Sequence, residues 1–259
     1  MPGRTRFAHL PLTAALLAPV LANAQVTLEP DGQWRYLLSA GANVSSGNNE
    51  SATLNLSAEG ARQTSFDKWT WNAKADHASH NGVATTERYG LRTQYNRDLS
   101  NEVSPDWFGF GSGETLRDTL ANIAVRYSLA SGVGRHIWKE EGSFLDLSVG
   151  LGYSHDRFVT PAEVAGALRD DYGRLELVLS EESSHQLTDS TSVRQKFTLY
   201  PDLRESGRYR AVLDTGITVA MTPTINLNTG LSYRFDSEPG TGLKKGDAMV
   251  VTGVSMRLD

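Results

Sequence analysis

The chain of 259 residues carries 25 Lys and Arg against 30 Asp and Glu, no cysteine, 39% hydrophobic and 21% charged residues. Past the N-terminus no apolar run approaches the roughly 18 residues of a spanning helix, which excludes a helical membrane bundle, and the composition excludes a disordered tail. The acidic balance argues against a nucleic-acid partner, and without disulfides stability must come from burial and hydrogen bonding.

Residues 1–24 read as a secretory signal, with Arg4 and Arg6 ahead of the apolar run Leu10 to Leu21 and small residues at Ala22-Asn23-Ala24. Pro11 and Pro19 inside the run speak against a buried helix. The mature chain is expected to begin at Gln25, and losing two arginines and no acid moves the formal charge from -5 to -7. Residues 25–33 are expected to form a short periplasmic segment, and residues 34–259 a single β-domain.

Period-two alternation runs through nearly all of that domain. From Trp34 to Ser45 the even positions are Trp34, Tyr36, Leu38, Ala40, Ala42 and Val44, and the odd ones are polar or glycine apart from Leu37. The second strand sets Leu54, Leu56 and Ala58 against Asn55, Ser57 and Glu59, and the third sets Trp69, Trp71, Ala73 and Ala75 against Asn72, Lys74 and Asp76. Asn81-Gly82 marks a tight turn into the fourth, where Tyr89, Leu91 and Tyr95 oppose Arg88, Arg92, Gln94 and Asn96. The fifth, Trp107 to about Ser112, alternates aromatic with glycine, and the sixth carries Ile123, Val125, Tyr127 and Leu129. The seventh sets Leu145, Leu147, Val149, Leu151 and Tyr153 against Asp146, Ser148, Gly150 and Gly152. Leu175, Leu177 and Leu179 mark the eighth, Val193, Phe197 and Leu199 the ninth, Tyr209 to Met221 the tenth, Ile225 to Phe235 the eleventh, and Asp247 to Leu258 the twelfth.

Twelve strands, at about 20 residues for each strand and its connection together, fit an antiparallel up-and-down transmembrane β-barrel of outer-membrane type, whose strands need about ten residues. With both termini in the periplasm, inner turns fall near Thr64 to Lys68, Ser100 to Asp106, Arg135 to Gly142, Thr188 to Ser190 and Thr222-Pro223. The outer loops then fall near Ser45 to Ser51, Ser79 to Glu87, Gly113 to Asp118, Asp156 to Asp171, Pro201 to Gly207 and Asp236 to Gly246. Trp34, Trp69, Trp107 and Trp138 gather at the inner rim and Tyr89, Tyr153, Tyr172, Tyr200, Tyr209 and Tyr233 toward the outer one, as amphipathic rings do at membrane interfaces. The competing reading, a periplasmic sandwich or lipocalin-like barrel, needs the apolar face to point inward.

The landmarks Ser46-Gly47-Asn48, Trp107-Phe108-Gly109-Phe110, Gly132-Val133-Gly134, Gly150-Leu151-Gly152-Tyr153, Tyr209-Arg210, Pro239-Gly240 and Lys245-Gly246-Asp247 follow one another along the chain. In these the chain resembles the salt-induced outer membrane protein family, domain of unknown function 481. The resemblance implies an outer-membrane barrel and brings no catalytic residues with it.

A twelve-stranded barrel has a backbone radius of roughly 12 Å, so long side chains largely fill it. The expected lumen charges are Glu59, Asp76, Asp146, Glu176 and Asp214 against Lys74, Arg92, Arg126, Arg194 and Lys196. Cross-strand pairs are expected for Asp76 with Arg88 and Glu182 with Lys196. Two roles follow: a narrow passive pathway for small solutes or ions, or a structural envelope role without transport. A rim hydrolase is disfavoured, because His77, His80, His155 and His185 are the available bases and adjacent residues such as His155-Asp156 point to opposite faces. Asp156, Asp170 and Asp171 could hold calcium but lack ordered ligand spacing, so neither a metal nor any other cofactor is expected. Ala162, Val164, Ala165, Ala167 and Leu168 suggest a short helix between Phe158 and Asp170, a candidate plug. The expected partners are outer-membrane lipids, lipopolysaccharide and the insertion machinery, for a monomer.

Overall fold

A computed structural model describes residues 30–45, 50–100, 106–140, 142–239 and 243–258. The expected signal, the start at Gln25 and the Ser46-Gly47-Asn48 motif lie outside the described residues. The strands are β1 (Trp34–Ser45), β2 (Ser51–Gln63), β3 (Asp67–His80), β4 (Val83–Asp98), β5 (Trp107–Asp118) and β6 (Ile123–Glu140). They continue as β7 (Ser143–Val164), β8 (Ala167–Thr188), β9 (Thr191–Pro201), β10 (Tyr209–Ala220), β11 (Ile225–Asp236) and β12 (Gly246–Leu258). Each pairs antiparallel with its sequence neighbours, and β12 returns to β1 to close the barrel.

Alternation decides which face points where. Leu38, Leu54, Leu56, Leu91, Leu147, Val149 and Leu151 are 44–58% exposed on the outside, whereas Asn55, Glu59, Asp76, Arg126, Ser154 and Glu176 are buried inside. Leaving each such leucine in water forgoes roughly 1.5–3 kcal/mol. The apolar face therefore points outward, as in a barrel built for lipid, and the soluble alternative is excluded.

The inner rim carries a connected aromatic girdle: ring centroids lie 5.7 Å apart for Trp34 and Trp69, 6.3 Å for Tyr36 and Trp71, and 6.5 Å for Trp69 and Tyr95. At the other end Tyr209 stacks on Phe235 at 5.4 Å. Two expected members of the outer belt turn inward instead. Tyr200 lines the lumen, and Tyr172 stands among the guanidinium groups of Arg169, Arg174 and Arg208, with Arg208 at 5.0 Å. Both share the inward parity of their strands, which position along the strand alone does not reveal.

Several boundaries move. β5 continues through the expected outer loop 113–118, and β6 through the expected inner turn to Glu140. A bulge between His136 and Trp138 flips the parity and puts Trp138 outside, where it stacks on His185 at 5.0 Å. The expected helix and plug between Phe158 and Asp170 is absent: β7 and β8 run on as a hairpin of two 22-residue strands, turning at Ala165 and Gly166 with φ of 51° and 71°. Two consecutive positive φ values are the signature of a two-residue hairpin turn, which Asn81 and Gly82 also adopt. The spacing of Ala162 and Val164, both buried, is that of one strand face.

β5 inverts the general pattern. Phe108 and Phe110 face inward and are buried, while Gly109, Gly111 and Gly113 occupy its outer face. Glycine on the neighbouring strands makes the room: a Cβ on Gly132 or Gly150 would sit 2.8 Å from the Phe110 ring, and one on Gly134 would collide with Phe108.

A charged lumen as the candidate functional site

Every strand sends one set of alternate side chains into the lumen, so an inward charge every second residue stacks in tiers. In the outer half, Arg126 binds Asp156, which Arg174 also reaches at 3.0 Å. Arg210 grips Glu176 through Nε and Nη2 at 2.7–3.0 Å, and Ser154 donates to the same carboxylate at 2.9 Å. Arg88 donates to Asp118 at 2.6 Å. These pairs occupy the side of the lumen formed by β4 to β8 and β10.

In the inner half one carboxylate gathers several cations. Glu182 accepts from Arg194 at 2.6 Å and from Lys196 at 2.7 Å, while Lys196 also donates to Gln94 at 3.2 Å. Glu59 accepts from the Asn72 amide at 3.1 Å and Asp76 from the Asn55 amide at 2.9 Å. His136, packed at a tilt against Phe108, meets Asp146 at 2.7 Å. Outside the barrel, hydrogen bonds from Arg35 and from the Gln33 backbone hold the Asp31 carboxyl down to about 2.

Space remains between these tiers. An inner cavity of about 210 Å³ and an outer one of about 410 Å³ share Asn72, Lys74, Asp76, Arg88, Arg92, Asp214 and Arg234 as common wall. The outer cavity is bounded at its mouth by Leu120 and Ala121 from the β5–β6 turn and by Pro239, Leu243, Lys244 and Lys245 from the β11–β12 connection.

The residues singled out from sequence fall as follows. Lys74, Asp76, Arg92 and Asp214 lie on the shared wall, and Glu59, Arg194 and Lys196 line the inner cavity. Arg126 lines the outer cavity, Asp146 a small side recess beside Phe108, and Glu176 is sealed behind Arg210. Glu182 and Lys196 meet directly. Asp76 and Arg88 stand opposite each other in register, yet Arg88 turns to Asp118.

Arg88, Lys68, Glu114, Asp118, Arg174, Arg210 and Arg234 join the lumen charges expected from sequence. Continuing the parity of Glu114 and Leu116 one step would have found Asp118, had β5 not been ended at Ser112. Arg88 and Arg174 share the polar face of their strands, which alternation alone can show.

The remaining candidates do not converge. His155 faces outward, 3.7 Å from Asp171, whereas Asp156 is buried inside between two arginines. His185 is outside against Trp138. His77 and His80 sit on β3 opposite Glu87 and Val83. Among the described residues no three His, Asp or Glu side chains gather as metal ligands.

No curated protein matches the sequence. Among solved structures, the chain is similar to the NanC porin at 13% identity and TM-score 0.44, covering 85% of this chain and 97% of that one. It is similar to the translocator domain of the autotransporter NalP from Neisseria meningitidis at 16% identity and TM-score 0.46, covering 92% and 91%. Likeness at this level carries no functional implication. The model of the family described as protein of unknown function, DUF481, matches residues 38–256, and the chain belongs to that family.

Proposed function

We propose that this protein is exported by residues 1–24 and inserted in the bacterial outer membrane as a monomer, where it offers a narrow passive pathway for small solutes or ions. The observation carrying this reading is that the inner and outer cavities meet along one charged wall, at Lys74, Asp76, Arg92 and Asp214. A lumen kept only for rigidity gains nothing from two polar cavities placed end to end. The outward leucines would contact outer-membrane lipid and, on the outer side, lipopolysaccharide, and the closed sheet satisfies the backbone polar groups that lipid cannot. The insertion machinery is the partner during assembly. In this reading the barrel is not an enzyme, holds no cofactor, and shapes the passage with the charges that line its two cavities.

The buried pairs of Arg126, Arg174 and Arg210 favour a second reading, a structural envelope protein, since such networks fix a wall without passing anything. Planar-bilayer recording of the purified, folded barrel separates the two. Discrete conductance steps over a range of salt support the pathway; a folded barrel that stays silent supports the envelope role.

A further inference from the structure

The inner cavity has more positive than negative side chains. Arg88 is committed to Asp118, outside this cavity, which leaves Lys68, Lys74, Arg92, Arg194, Lys196 and Arg234 against Glu59, Asp76, Glu182 and Asp214. Pairing does not hide the excess. Glu182 alone serves both Arg194 and Lys196, and Arg92 reaches Glu114 only at 3.9 Å. Among the described residues Lys68, Lys74 and Arg234 have no carboxylate within 4 Å, and Arg234 Nε is buried without a hydrogen-bond partner. Glu59 and Asp76 each accept one hydrogen bond from a neutral amide, of Asn72 and Asn55, which holds one oxygen of each without spending a cation.

We propose that the inner cavity is an anion site, selecting small oxyanions (short carboxylates, phosphate, sulfonates) and inorganic anions over cations. The reasoning is electrostatic. A barrel surrounded by hydrocarbon focuses the field of its lining charges along the lumen, so an uncompensated positive surplus is neutralised by a mobile anion. Guanidinium and ammonium groups side by side, as at Arg194 and Lys196, suit an oxyanion with several acceptor oxygens. Glu182 occupies that cradle as an internal carboxylate, showing the ligand chemistry it accepts. The outer cavity lacks this bias: once Arg88, Arg126 and Arg210 are paired off, its remaining five cations face five acids, so selection belongs to the inner half.

This inference rests on the pathway reading, and reversal potentials under a KCl gradient test it separately. Chloride should permeate over potassium by about twofold or more at 0.1 M, the ratio falling toward one at 1 M as salt screens the field. Glu182→Gln should raise the chloride preference, and the double change Arg194→Glu with Lys196→Glu should invert it. Lys68→Gln removes a charge without orphaning a carboxylate, so it should fold and still lower the preference. Inorganic phosphate added to the wild-type barrel should reduce the chloride current. Open channels with no preference or a cation preference, or a Lys68→Gln channel identical to wild type, would overturn the anion site while leaving the pathway intact. Absence of any current from the folded barrel would remove the pathway, and this inference with it.

Discussion

The wall made by β6, β7 and β8 and the seam between β1 and β12 belong to one sheet but are built differently. β6 and β7 are paired at sixteen positions, and their inner faces carry the buried pair of Arg126 and Asp156 and the glycines that receive Phe108 and Phe110, while Glu176 on β8 is held by Arg210. β1 and β12 are paired at five, from Tyr36 with Leu258 to Ala40 with Val254; among the described residues no pairing continues beyond. The regular ladder of the seam thus lies at the inner end, and beyond it β12 still touches β1 where Gly253 packs against Ala40 and Gly41. The difference teaches that a barrel need not be uniformly held, because burial and ion pairing on one side can support a seam that contributes little.

The largest effect that would sharpen this contrast comes from the wall. Glu176→Ala leaves the Arg210 guanidinium buried beside Ser154 without its carboxylate, and the urea midpoint of the folded barrel should fall by an amount equivalent to about 3–5 kcal/mol. A smaller loss, about 1–3 kcal/mol, is expected for Gly134→Ala, whose Cβ meets the Phe108 ring; combined with Phe108→Leu it should cost less than the sum of the two single changes. The smallest effect needs no mutation. Amide exchange should be fastest on β12 between Val250 and Gly253, opposite the unpaired end of β1, and slowest at Val149 and Leu177. Equal protection at both places would erase the distinction.

Strand number, chain order and the outward apolar face were legible because alternation over ten or more residues is a strong signal. Leu54, Leu56, Leu147 and Leu151 need no context to be assigned to one side. What escaped depended on contacts between strands. The sequence Trp107 to Gly113 places aromatic and glycine residues alternately, and only the glycines at Gly132, Gly134 and Gly150 on neighbouring strands explain why Phe108 and Phe110 turn inward. The apolar residues between Ala162 and Leu168 fit two periodicities, and the positive φ of Ala165 is invisible to composition. The lumen charges could be assigned to a face, but which acid takes which cation could not: Arg88 stands opposite Asp76 and binds Asp118. The surplus around Glu182 follows from such choices.

The β7–β8 hairpin has a consequence for how the cell surface is seen. Residues 158–161 of β7 bulge out of register with β8, so the height of the hairpin is set by β8, whose five residues from Asp171 to Gly166 span about 17 Å at a rise near 3.4 Å. In the orientation proposed, that stalk stands above the lipopolysaccharide-facing rim with Leu168, Asp170 and Asp171 turned to the surroundings. Antibodies, phage tails and proteases would meet it first, and an epitope spliced between Ala165 and Gly166 would be displayed on living cells far from every charge that lines the passage.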